Sequence, residues 1–511
     1  MEMNRRNFVA TAALAGGTAL LAGVAGGGPV IVSAQEGAAS SAAEEKSADV
    51  VVVGAGGAGL CAALTAEQGG ATVVLLEAMP MVGGATLGST ATNIAGSQMQ
   101  RDAGVEDSPE QILASYEDDI EDPSVLETAQ MYSEHNGETF DWLFGEMGVR
   151  AQDNVQFFKP YPVARIVYPI GGGAGLVQTL LGHVEDSPSI ELMLNTIATS
   201  LVKKDGVVTG VVATAEDGSE LRISAKAVIL AAGGFAANRD MIPYEPLENV
   251  VYYGAVSSDG KAMSLALHAG AMLKDLDVVP VESGALETSP GTGTQLYSVL
   301  MQTYAKASGI LVGPGGNRIA KEVAAPNEVM VEAFRSQPDS TAYLFMDKAS
   351  FDVFYAAGTR EVGGVFSPQT WDDWVAADGA GLPMIVVADT VDEVAAKAGI
   401  DADGLKATIE AFNADAPSGV DSQFQRPIAA AIGDGPYCVV KQNLRYAHSF
   451  GGLVANGKLE VLDWTRMPIK GLYAAGQMLR SIRGQVSKPS TSTSFAYTSG
   501  RQAAKSALAA L

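Results

Sequence analysis

Three glycines carry the plainest chemistry in this chain. Gly54, Gly56 and Gly59 are spaced G-x-G-x-x-G directly after Asp49–Val53. That run is short, apolar and β-branched, as a buried parallel strand requires. One glycine serves a tight turn, one lets backbone approach a pyrophosphate, and one lets a helix pack on its strand. The N-terminus of that helix stabilises phosphate charge. Ala63, Gly70 and Val73 follow at the spacings of a helix returning to a second strand, Thr72–Leu76. Glu77 closes this strand 18 residues after Gly59, close to the ~20 expected of an acid that binds ribose hydroxyls. Strand, helix, second strand and acid together predict a dinucleotide site.

The elements around this motif narrow the choice of dinucleotide. After Glu77 the chain reads AMPMVGGAT, with Gly83 and Gly84 adjacent. A later strand ends at Val228–Gly234 as VILAAGG, and Gly471–Gly476 read GLYAAG. Between them, Leu201–Lys204 and Val207–Ala213 alternate around Asp205-Gly206, a hairpin signal, and Asp217-Gly218 supplies another turn. A Rossmann unit interrupted by a three-stranded meander and finished near the C-terminus is not how NAD dehydrogenases read. The sequence has no second G-x-G-x-x-G. A flavoprotein reduced by NAD(P)H commonly carries a second nucleotide site, so another electron source is expected.

Composition bounds the rest. With 511 residues and one domain per roughly 150, two or three domains are expected. Hydrophobic residues make up 47% and charged residues 18%, enough for a sizeable core. The net charge is -25 and is spread along the chain, which excludes the basic footprint of a nucleic-acid binder. The two cysteines, Cys61 and Cys438, form no C-x-x-C, so no zinc, iron–sulfur or c-type haem site built on cysteine pairs is expected, and no metal. Cys61 falls where the first helix faces its sheet and reads as a small core residue.

The N-terminus reads as a targeting segment. Arg5 and Arg6 precede Asn7-Phe8 and an Ala-, Gly- and Leu-rich stretch from Val9 to Ala25, with small residues at Val32-Ser33-Ala34. Residues 1–34 are read as a twin-arginine signal and 35–47 as a flexible leader. An uncleaved anchor or an ordinary secretory signal are the alternatives. The apolar stretch is short for a membrane span, so no permanent span is expected in the mature chain. The twin-arginine route carries folded, cofactor-loaded proteins, which places the mature protein in the periplasm or at the extracytoplasmic surface.

From Ala48 onward the chain resembles the fumarate reductase/succinate dehydrogenase flavoprotein family, in the soluble branch that also includes urocanate reductases and 3-ketosteroid dehydrogenases. The matching stretches are Ala48–Glu77, Gly83-Gly84, Ala227–Asn238 (AVILAAGGFAAN), Ser258–Lys261 (SDGK), Gly435–Tyr437, His448–Gly452 (HSFGG) and Gly471–Gly476. The resemblance implies an α/β fold: a Rossmann-like FAD-binding domain in two sequence pieces, 48–280 and 436–511, with an inserted α+β cap, or substrate, domain over 281–435. An amphipathic cap helix fits Leu405–Phe412, and Gln423–Pro427 resembles the family's F-x-R-P stretch. Cofactor contact is then expected of Gly54, Gly56, Gly57, Ala58, Gly59, Glu77, Ala78, Gly83, Gly84, Ala85, Thr86, Ala91, Thr92, Ala232, Gly233, Asp259, Gly476, Gln477 and Ser492. Quinone-linked members bond the flavin covalently through a histidine. Ala85 stands at that place, which implies non-covalent FAD. Gln477 replaces a Glu that bonds the ribityl chain, and an amide can do the same.

The departures from the family carry the most information. A histidine pair that touches substrate is Ala447-His448 here. His448 either binds substrate or holds the cap against the FAD domain. The substrate-binding arginine aligns with Ser487 and the proton-donating arginine with Pro326. The Glu and Arg that feed the donor align with Gln302 and Ala305. Replacement acids are Arg483, Lys488, Tyr304 and Tyr446. The bland alternatives are a core or rim aromatic for each tyrosine and a surface ion pair for Arg483 and Lys488.

The sequence therefore supports an extracytoplasmic FAD-dependent reductase of an activated C=C bond, serving as a respiratory sink, with an enoate or enone other than fumarate as its small-molecule substrate. Hydride comes from flavin N5 and the proton from a protein acid. A separate cytochrome, FMN protein or quinol-linked partner delivers electrons. The alternatives are a dehydrogenase of the 3-ketosteroid type and a non-catalytic flavin electron-transfer subunit. Export gives the first test. Replacing Arg5 and Arg6 together with Lys is expected to retain the protein in the cytoplasm, as followed by fractionation. Undiminished export of the double variant would refute the twin-arginine assignment.

Overall fold

A computed structural model describes residues 44–117, 120, 122–243, 247–360, 364–482 and 488–511. Two compact units are present. The first contains the described residues up to Ile242 together with Ala255–Val279 and His448–Leu511; the second contains Pro243–Gly254 and Pro280–Ala447.

The first unit is built on an 8-stranded sheet. Strands Pro468–Ala474, Glu220–Leu230, Glu44–Val53, Val73–Leu76 and Ile190–Met193 run parallel in that spatial order. Val50, Val51 and Val52 are fully buried, as strands covered on both faces must be. The hairpin expected at Asp205-Gly206 joins Ile197–Lys204 to Val207–Thr214, and both turn residues have positive φ, at 51° and 83°. The first strand begins earlier than the sequence indicated. Glu44–Ser47 pair with Leu221–Ser224 on the long neighbouring strand, and Lys46 Nζ bonds Glu191 at 2.8 Å. These four residues are therefore part of the sheet and not of a flexible leader. Their polar side chains concealed a strand made by backbone pairing. Cys61 is fully buried, and burial pushes its thiol up to about 12.

The second unit holds a 7-stranded sheet. Its centre is Tyr437–Tyr446, which pairs with Thr341–Met346, Ile385–Ala388, Val250–Tyr252 and Glu282–Ala285. This differs from the sequence-based boundary at 435/436: the strand read as opening the second FAD piece belongs to the other unit, and so does 243–254. The apolar run of Tyr437–Tyr446 suits either sheet, so only pairing assigns it. The helix anticipated around Leu405–Phe412 spans Ala402–Asp415 and buries both residues.

A buried ionic cluster sets this unit's loops. Glu322 accepts from Arg318 Nε at 2.9 Å and Nη2 at 2.6 Å, and lies 3.2 Å from Arg426 Nη1. Arg318 Nη1 also bonds Asp421 at 2.8 Å. All four side chains are 2% exposed or less. Removing the shared carboxylate leaves two buried guanidinium groups short of a partner. Glu322→Ala is expected to destabilise this unit by about 3–5 kcal/mol, read as a lowered denaturation midpoint by circular dichroism. A change below about 1 kcal/mol would contradict this account of the cluster.

Candidate functional site

The glycine motif lies where the parallel strands end and the helix Gly57–Gln68 begins. Its glycines answer to different constraints. Gly54 has φ of +100°, and a Cβ there would stand 2.6 Å from Ala232 Cα. At Gly59 a Cβ would stand 1.8 Å from the Gly54 carbonyl oxygen. These two are required by packing. Gly56 is not: its φ is -74°, and the nearest atom to a Cβ would be Gly83 O at 3.8 Å. No steric or conformational demand of the protein explains a glycine at this position, whereas close approach of a phosphate to the backbone does. The N-cap of the helix that starts here, Gly56, has no side chain, and no acidic residue stands in the first turn, so the positive pole of the helix is open to an anion.

Two side chains fix this turn. Glu77 accepts from Ala55 N at 2.8 Å and from Met79 N at 3.0 Å. Burial raises its pKa above the ordinary carboxylate value, and the backbone donors act in the opposite direction. Each carboxylate oxygen keeps acceptor capacity for a ribose hydroxyl. Thr86 Oγ1 accepts from Gly57 N at 3.1 Å. Both residues thus hold the loop as well as being positioned to meet a ligand. Gly83 N bonds Ala55 O at 2.8 Å, bringing the Gly83-Gly84 turn against the motif. Ala78 and Ala85 are exposed beside it. Ala58, on the first turn of the helix, would lie 3.0 Å from a Cβ at Gly476.

A recess opens on the same unit, lined by Ser449, Gly476, Gln477, Ser481, Thr491 and Ser492, with Phe495 at its apolar side. The last helix, Thr491–Leu508, supplies one wall, and its Thr493 Oγ1 bonds Ala91 O at 3.3 Å. Thr92 Oγ1 is buried and meets no hydrogen-bond partner among the described residues, an orphan that a polar ligand would satisfy. Gly233 and Ala232 follow the strand Glu220–Leu230. The Asp259 carboxylate accepts from Lys261 N at 3.0 Å and pairs with Lys261 Nζ at 2.7 Å, at the start of the helix Lys261–His268. The structure thus brings the motif, Glu77, Thr86, Gly476, Gln477 and Ser492 into one unit, and the open Gly56 cradle at a helix start fits the pyrophosphate of a dinucleotide.

The candidate acids divide sharply. Arg483 and Ser487 lie outside the described residues. Tyr304 and Tyr446 belong to the second unit. Tyr304 is 3% exposed beneath Arg426, in a hydrophobic cluster, and burial raises its pKa far above the usual phenol range. Tyr446 is 1% exposed and packs on Tyr252 with ring centroids 5.1 Å apart. Both side chains are buried. His448 is half-buried, its ring stacked on Phe450, one residue before Ser449 on the recess wall. Lys488 is buried: its Nζ donates to Ser115 O and lies 5.4 Å from the Tyr116 ring centroid. Sequence reasoning passed over Ser449, Thr491, Tyr116 and Tyr161, although the hydroxyl run Ser490–Ser494 at the head of the last helix was a usable signal.

Comparison with known proteins settles the family. A family model described as "FAD binding domain" matches residues 49–492. The chain belongs to this family. It is an FAD-dependent oxidoreductase, and FAD is its cofactor. Urocanate reductase of Eggerthella lenta is 31% identical over 459 residues, covering 87% of this chain and 72% of that protein. Fumarate reductase (cytochrome) of Shewanella frigidimarina is 29% identical over 458 residues, covering 87% and 74%. Among solved structures, the open conformation of a flavocytochrome c3 fumarate reductase superimposes with a TM-score of 0.75 at 24% identity, covering 91% of this chain and 78% of that one. That likeness bears on the mixed α/β fold.

The free space at Gly56 makes a clean test. Gly56→Val is expected to fold and yet to purify without the yellow flavin, because its side chain occupies the ligand's approach while its Cβ meets no protein atom nearer than Gly83 O at 3.8 Å. Gly59→Ala, by contrast, is expected to lower the melting temperature, since its Cβ meets the Gly54 carbonyl. Normal FAD content in folded Gly56→Val, measured by absorbance after denaturation, would contradict the cradle.

Proposed function

We propose that this protein is an extracytoplasmic reductase of an activated C=C bond in a small organic molecule, an enoate or enone other than fumarate. The observation that carries this is the recess of hydroxyl and amide groups beside the Gly56 cradle, in a chain 31% identical to a urocanate reductase over 459 residues. When bound, FAD supplies two electrons as a hydride. The protein's own groups hold the cofactor non-covalently, since Ala85 offers no nucleophile, and deliver the proton to the second carbon. Glu77 anchors the ribose end, the first helix the pyrophosphate, and Gln477 and Ser492 the ring end.

Substrate class follows from charge. A dianion such as fumarate needs a cation at each end, and a guanidinium fork suits a carboxylate best. The two positions that carry arginine in the family are Ser487 and Pro326. Pro326 is an exposed residue that caps the helix Asn327–Arg335 and offers no side-chain donor. Losing a hydrogen-bonded partner of a buried charge costs about 2–5 kcal/mol. The substrate is therefore a monoanion or a neutral enone, larger or more aromatic than fumarate, with Arg483 as an anchor. Electrons come from a separate cytochrome, FMN protein or quinol-linked partner.

The experiment is anaerobic. Dithionite-reduced protein is mixed with urocanate, cinnamate, 2-cyclohexenone and fumarate, and flavin absorbance is followed. At least one of the first three is expected to reoxidise the flavin, with fumarate slower by about 100-fold or more, the equivalent of two tenfold steps of about 1.4 kcal/mol. Arg483→Ala is expected to slow that turnover more than it weakens FAD binding. NADH and NADPH are expected not to bleach the oxidised protein. Efficient fumarate reduction would overturn the substrate assignment, and rapid bleaching by NADH the assignment of a separate donor.

A further inference from the structure

Behind the recess lies a buried hydroxyl cluster with no part in holding the fold's sheets. Thr491, at the head of the last helix, lines the recess and is 1% exposed. Its Oγ1 is 3.0 Å from Tyr116 OH and 2.8 Å from Tyr161 OH. Tyr161 OH also lies 2.7 Å from Pro489 O, which can only accept. Hydrogen-bond accounting then gives the cluster a direction. The Tyr161 hydrogen goes to Pro489 O, so Tyr161 can only accept from Thr491. Tyr116, which shares hydrogen bonds with both Thr491 and Tyr161, can then donate to Thr491 Oγ1. The Thr491 hydrogen has two choices, the Tyr161 oxygen or the recess.

Each tyrosine is faced by a cation. Lys488 Nζ lies 5.4 Å from the Tyr116 ring centroid, and Arg165 Cζ lies 5.2 Å from that of Tyr161. Arg165 is itself held by Asp107 at 2.7 Å and 2.8 Å. Positive charge over a phenol ring favours its anion. Burial opposes this and raises the pKa of both tyrosines, so a phenolate here can exist only briefly.

We propose that Tyr116 and Thr491 form the proton path of the C=C reduction, with Tyr161 holding the Thr491 hydroxyl in line. The inference rests on the reductase reading above. Hydride adds to one carbon of the double bond, and the electron pair of the broken π bond collects on the other. That carbon takes the Thr491 Oγ1 proton as a C–H bond forms, and Thr491 takes the Tyr116 proton in the same event. The threonine only passes a proton on, so the acid whose strength counts is Tyr116. Once product leaves, water in the recess returns a proton along the same path. The positions aligned with the family's donor and its feeding pair, Pro326, Gln302 and Ala305, make such a substitute necessary.

The test uses FAD-loaded, dithionite-reduced protein and two oxidants. One is whichever of urocanate, cinnamate and 2-cyclohexenone reoxidises the wild type fastest. The other is ferricyanide, which takes electrons without any carbon to protonate. Tyr116→Phe and Thr491→Val are each expected to slow reoxidation by the organic substrate by at least about 100-fold, as loss of a general acid does, and to alter its solvent deuterium isotope effect. Ferricyanide reoxidation and the FAD dissociation constant should stay at wild-type values. Thr491→Ser, which keeps the hydroxyl, should recover most of the rate. Equal slowing with both oxidants, or substrate rates within about twofold of wild type, would overturn the path. If Tyr116→Phe fails to hold FAD, the Thr491→Ser and Thr491→Val pair decides on the same criteria. A wild type that responds to none of the three substrates refutes the reductase reading, and the path falls with it; a responsive wild type with unaffected variants refutes the path alone.

Discussion

The approach of Gly59 to the Gly54 carbonyl is the constraint on which the cofactor end of this protein depends. With a Cβ at Gly59 only 1.8 Å from that oxygen, the first helix would have to move off its strand. The contact aims the helix N-terminus past Gly56 toward the crevice at the carboxyl ends of the parallel strands, where ligands of open α/β sheets bind. Glu77 and Thr86 then secure the turn from opposite sides, through the amides of Ala55 and Gly57. A motif that looks like four or five independent contacts is one mechanical assembly, and its glycines are not equivalent. Two exist for the protein, and one exists for the ligand.

The polar groups away from the cradle follow a different rule. Arg165, Asp107, Tyr116, Tyr161 and Thr491 come from separated segments and are buried together. Burial of so many hydrogen-bonding groups is tolerable only when each finds a partner, and such clusters are costly to assemble. In the second unit the Arg318–Glu322–Arg426–Asp421 cluster solves the same problem with ion pairs and serves to fix loops. The first cluster differs because one of its members lines the recess. That place on the recess, rather than burial itself, sets the first cluster apart from the second.

The bearing of charge on substrate choice can be seen in the same terms. Relatives of this chain are named for urocanate and fumarate, a monoanion and a dianion at neutral pH. On the proposed reading, Pro326 and Ser487 leave the substrate without fixed cations while the glycine cradle is kept, so that cofactor recognition would rest on backbone geometry and substrate choice on a few long side chains.

Local sequence determined the strand–turn–helix with its glycines, the acid at the end of the second strand, the hairpin at Asp205-Gly206 and the helix around Leu405–Phe412, because each depends on residues near one another in the chain. From these, with the family resemblance, FAD and the α/β class were legible. Tertiary structure decided what depends on distant partners. Glu44–Ser47 became strand because a long neighbour offered its backbone, despite polar side chains. Tyr437–Tyr446 joined the second unit's sheet because pairing, not apolar character, chooses between sheets. Tyr304 and Tyr446 are acids by type, and only the fold shows that both are buried. Thr491 acquired its two tyrosines from positions 375 and 330 residues away, a convergence that no local pattern encodes.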